Sequence, residues 1–109
     1  MTDTDLERIR LARSGAKLAS FMRAVRAERE RQHARWGDQN HTFEITPELR
    51  RLLATALGRA RFESDGPKPN WPAIFVEEAC EFATATDTEN RKEELIQTAA
   101  LCLQMWEKL

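Results

Sequence analysis

The chain has 109 residues, 41% of them apolar and 32% charged, with a net charge of −1. That balance suits one globular domain and excludes a disordered polyelectrolyte; the longest uncharged stretch, the 12 residues 95–106, carries Gln97 and Gln104 and cannot span a bilayer. The charge is uneven: residues 6–35 hold nine Lys/Arg against three Glu, and residues 71–109 hold eight Asp/Glu against three Lys/Arg, which points to a phosphate-attracting end and a cation-binding end.

Gly and Pro are scarce, β-branched residues are scattered, and no stretch alternates with period two, so the whole chain reads as helical. A first helix is expected from near Thr4 toward Arg35, with Leu18, Phe21, Met22 and Val25 on its apolar stripe and a break or kink at Ser14-Gly15. The turn-rich run from Trp36 to His41 ends it. Thr46 followed by Pro47 starts a second helix, in which Leu49, Leu52, Leu53, Ala56, Leu57 and Ala60 keep amphipathic spacing. The loop Ser64-Asp65-Gly66-Pro67-Lys68-Pro69-Asn70 leads to a third helix capped by Asn70 and running to about Ala85. Residues 86–89 form a tight connection that matches a Thr-x-x-Glu capping box, and a fourth helix fills the rest. The fold expected is an all-α bundle of four to five helices with a C-terminal antiparallel helical hairpin.

The acidic, polar start does not read as the n-region of a secretory signal. Cys80 and Cys102 make no disulfide framework, and they read as small core residues. A cytoplasmic, non-membrane protein is expected. Nucleic acid is disfavoured as a partner, because the basic half has little aromatic interleaving.

The informative residues lie in the hairpin. A helix advances about 100° per residue, which puts Glu78 in the middle of the apolar arc made by Trp71, Ile74, Phe75, Phe82 and Ala85, with Glu81 at its edge and Glu77 further round. On the fourth helix, Glu94 projects beside Leu101 and Met105, and Gln97 follows at i+3. Carboxylates drawn from water need a cation or donors. Two arrangements supply them. Either Glu78, Glu81, Glu94 and Gln97 converge on a hard cation, Mg²⁺ or Mn²⁺ rather than zinc, or Glu78 and Glu81 pair with arginines of the first helix. Residues 98–103 are apolar nearly all round, so a second subunit is expected to cover them, the helix faces serving for oligomerisation.

These residues carry a resemblance. Glu77-Glu78-Ala79-Cys80-Glu81 is similar to the Glu-Glu-x-x-Glu motif of the MazG-like all-α nucleoside triphosphate pyrophosphohydrolases. Glu94-Leu95-Ile96-Gln97, after a gap of 12 residues, stands where that superfamily has Glu-x-x-Asp. The run from Glu30 to His41, with Trp36-Gly37-Asp38-Gln39, resembles the entry segment of small members, and the run from Arg91 to Ala100 resembles their last core helix. The likeness covers roughly residues 28–107. It implies one MazG-like domain, with residues 1–27 as a helical extension and 28–109 as the core.

It further implies hydrolysis of a nucleoside triphosphate to the monophosphate and pyrophosphate, a housekeeping role in the nucleotide pool, and a homodimer or homotetramer. Metal ligands would be Glu78, Glu81 and Glu94, with Gln97 in the place of the superfamily's aspartate and one carboxylate fewer at the site. In this chemistry Glu77, Glu78 and Lys92 serve catalysis: a glutamate not saturated by metal accepts the water's proton, and Lys92 or Arg35 offsets charge on the departing pyrophosphate. Arg35, Trp36, Gln39 and His41 are the candidates for substrate binding, Trp36 by stacking on the base. The loss of charge at Gln97 keeps a second function open, a catalytically weakened module that senses a nucleotide or binds a protein.

Overall fold

The computed structural model describes all 109 residues. It is all-helical, with 80% of residues in four α-helices and no strands. These are α1 (Asp3–Trp36), α2 (Pro47–Ser64), α3 (Trp71–Thr84) and α4 (Thr88–Lys108). No helix is long and apolar enough to cross a membrane. The chain divides after His41 into two units, Met1–His41 and Thr42–Leu109.

The first unit is essentially α1. Thr2 caps it reciprocally: the Asp5 amide donates to the Thr2 hydroxyl, and the Thr2 amide donates to the Asp5 carboxylate. The helix then runs for 34 residues without interruption, so the expected break at Ser14-Gly15 does not occur. One glycine inside a long helix costs about 1 kcal/mol relative to alanine, too little to outweigh the turns on either side. No residue of α1 is buried. Gly37, at φ 68°, ends the helix in a conformation that a side chain would strain, and its amide donates to the His33 carbonyl. A Cβ at Gly15 would meet nothing within 4 Å. Gly15→Ala should therefore stabilise α1 by about 1 kcal/mol, read as higher helicity by circular dichroism near the melting range.

The second unit is a layer with α3 in the middle. α3 packs on both α2 and α4, which flank it without packing on each other. The caps explain the helix starts. The Leu49 amide donates to the Thr46 hydroxyl, and the Ala73 amide donates to the Asn70 side chain, both as the sequence predicts. The cap of α4 differs from the capping-box expectation: Asp87, not Thr86, accepts from the Asn90 amide at 2.8 Å. Asp87 directly precedes the first helical residue, and its ionised oxygen is the stronger acceptor for the exposed amides there.

The buried side chains are Ala60, Ala73, Cys80, Ala85 and Leu101. With alanines at the α2–α3 contact, the two helices can approach closely. The stretch preceding α2, which sequence periodicity leaves without structure, folds onto α3 and α4. Phe43 meets Phe82 edge-on with ring centroids 6.3 Å apart, and Arg91 lies over the Phe43 ring and pairs with Glu44.

Candidate metal centre

α3 and α4 bring three carboxylates together. One oxygen from each of Glu78, Glu81 and Glu94 lies within 4.8 Å of the others, and all three side chains are half-buried. The i, i+3 spacing on α3 aims Glu78 and Glu81 the same way, and α4 delivers Glu94 from the other side. The three are not equally compensated. Glu81 accepts from Arg61 of α2, with Nη2 to Oε1 at 3.3 Å. Oε2 of Glu78 and Oε2 of Glu94 are buried without any hydrogen-bond donor. Native proteins rarely leave such groups orphaned.

The electrostatics follow. Burial pushes the Glu78 carboxyl above its ordinary range, and the charges of Glu81, Glu94 and Glu77 add to the effect. Burial also raises Glu94, and the charges of Glu81 and Glu93 and a carboxyl–carboxylate hydrogen bond with Glu81 raise it further. Donors to an ionised carboxylate would hold it low; both of these are held high.

Glu77, the remaining motif glutamate, stands apart from this cluster. It accepts from the Ser64 hydroxyl at 2.8 Å and lies 3.7 Å from Arg61 Nε. The arginine that pairs with Glu81 therefore comes from α2, not from α1, the helix the sequence points to for such a pair. Ser64 and Arg61 are both absent from the sequence-based candidates. Their only signal is that they end the helix preceding the motif helix, and α2–α3 register cannot be read from spacing.

The other candidates fall elsewhere. Gln97 is exposed, one turn beyond Glu94 on α4. Lys92 is exposed and lies 3.8 Å from Glu89 on its own helix. Arg35, Trp36, Gln39 and His41 are exposed residues of the Met1–His41 unit, with the Arg35 guanidinium 4.9 Å from the Trp36 ring centre. Cys80 is buried, and burial raises its thiol above the ordinary value, which fits a core residue and not a reactive thiolate.

The donor set suits a hard divalent cation. It offers only carboxylate oxygens, with no thiolate or imidazole, and two of those oxygens lack any other partner. No family model, curated protein or solved structure matches the chain.

Proposed function

We propose that the chain is a MazG-like nucleoside triphosphate pyrophosphohydrolase, with Mg²⁺ or Mn²⁺ held by Glu78, Glu81 and Glu94. The observation that carries this reading is the pair of buried, donor-less oxygens within a cluster of three carboxylates. A cluster built only for structure would be expected to give each buried oxygen a donor, because an uncompensated buried charge is strongly destabilising. A cation supplies that compensation, and when bound it also neutralises phosphate oxygens and acidifies an attacking water.

The chain's own residues do the rest. Glu78 and Glu94 offer oxygens that nothing else occupies. Glu77, which accepts from Ser64 and pairs with Arg61, is the carboxylate outside the cluster and the candidate to take a proton from water. In this reading α3 and α4 form an antiparallel hairpin. A second copy of the chain covers the apolar side chains still exposed on it, Phe75, Val76, Leu95 and Ile96, to give a homodimer or homotetramer.

The test is direct. Incubation with each common nucleoside and deoxynucleoside triphosphate plus Mg²⁺ or Mn²⁺ should yield the monophosphate and pyrophosphate, resolved by ion exchange. Release of diphosphate and orthophosphate would overturn the reaction class. Nucleotide binding without turnover would establish the second function, a nucleotide-sensing module, which the neutral side chain of Gln97 in place of a carboxylate favours.

A further inference from the structure

Arg61 belongs to two features at once. Its guanidinium reaches Glu81 at 3.3 Å and Glu77 at 3.7 Å. It also lines an open groove at the C-terminal end of α2, together with Arg59 and Lys68. The side chain is 51% exposed, so its ion pairs contribute little and break easily. Two carboxylates share the groove, Glu63 and Asp65, but Glu63 is already tied to the Asn70 amide. The groove thus sets three cationic side chains, Arg59, Arg61 and Lys68, against two carboxylates, and of the three Arg61 is parked on the carboxylate cluster.

We infer that Arg61 is an internal counter-cation that a divalent ion displaces from Glu81, and that the released guanidinium then binds a polyphosphate, so that the two ligands bind with positive linkage. This rests on the proposed reading of Glu78, Glu81 and Glu94 as cation ligands. The Glu81 carboxylate that Arg61 holds is also one of the three that converge within 4.8 Å. A cation entering there takes over the negative charge that attracts Arg61 and repels the guanidinium. The planar fork of an arginine matches two phosphate oxygens, a geometry a lysine cannot reproduce. Arg59 and Lys68 add charge where the displaced group would go. Linkage is reciprocal, so a polyphosphate that draws Arg61 away leaves a better cation site behind.

The experiment is calorimetry on the full chain and on Arg61→Gln, with Arg61→Lys as a second variant that keeps the charge and loses the fork. The probes are Mn²⁺ alone and the preformed Mn²⁺–tripolyphosphate complex. Arg61→Gln should bind Mn²⁺ alone about fivefold more tightly, because Glu81 is no longer occupied. It should bind the complex about tenfold more weakly. Arg61→Lys should stay near the parent for Mn²⁺ and lose affinity for the complex. Opposite signs for the two probes are the signature.

Unchanged or weaker Mn²⁺ binding in Arg61→Gln would overturn the displacement, and undiminished binding of the complex would overturn the phosphate contact. A parent chain that binds no Mn²⁺ would overturn the inference along with the cation site. Opposite signs in a chain that hydrolyses no nucleotide would support the linkage and sink the hydrolase reading alone.

Discussion

In metal-free protein at neutral pH, Glu78→Gln should raise the thermal midpoint while removing most of the affinity for Mn²⁺. The side chain keeps its shape and loses a charge that burial and three neighbouring carboxylates disfavour. Unit charges 4 Å apart repel by about 4 kcal/mol at an effective dielectric near 20, and exposure and salt reduce this, so a gain of about 1 kcal/mol is expected. For a domain of this size that is about 4–8 °C.

The sign of the pH dependence follows from the same cause. Both Glu78 and Glu94 are held above their ordinary range, so these two groups take up protons more readily in the folded chain than in the unfolded one. Their contribution to the parent's stability should therefore rise as pH falls from neutrality through the raised values toward the ordinary carboxylate range, and flatten below it. In Glu78→Gln the rise should be smaller.

Saturating Mn²⁺ should invert the ranking. At a hundred times the dissociation constant, a ligand that binds only the folded state adds about 2.7 kcal/mol, and the variant forgoes most of this. Thermal melts at several pH values, with and without Mn²⁺, read all three effects. A metal-free variant less stable than the parent would mean that Glu78 makes a structural contact.

Ala73→Leu should strongly destabilise the Thr42–Leu109 unit. Ala60 and Ala73 are both buried and line the same seam between α2 and α3, beside Pro72 and Val76. Three added carbons at this buried position must displace the facing side chains or push out into the open cleft beside the seam, and overpacking of this kind costs about 1–3 kcal/mol. A fall of about 10 °C in the melting midpoint is expected. Ala54→Leu, on the exposed side of α2, should change stability by less than about 0.5 kcal/mol and serves as the control. Equal effects at the two positions would show that α2 and α3 do not meet through these alanines.

What the sequence revealed of this molecule follows from what is local. Thr46 and Asn70 announce their helices because a cap acts on amides three residues away. Glu78, Glu81 and Glu94 were legible as a group because they break amphipathic patterns at i, i+3 spacing, and a short link between two helices brings their faces together.

Arg61 was not legible. An arginine on the polar side of an amphipathic helix looks like any solvated charge until the register of α2 against α3 is known. The clasp of Phe43 and Glu44 on Arg91 was hidden for a similar reason, since the segment before α2 has no periodicity and its partners lie 39 and 47 residues away. At Ser14-Gly15 the local punctuation points to a break, and the cooperativity of a 34-residue helix overrides it.

The donor-less oxygens of Glu78 and Glu94 also bear on how this chain changes over generations. A lineage selected only to keep the fold would drift first at these two positions, because glutamine or an apolar residue there relieves repulsion at no loss of packing. Retention of both acids among descendants would then be a historical signature of selection for binding, legible even where the ligand is unknown. It would be lost soonest in copies of the gene released from that duty.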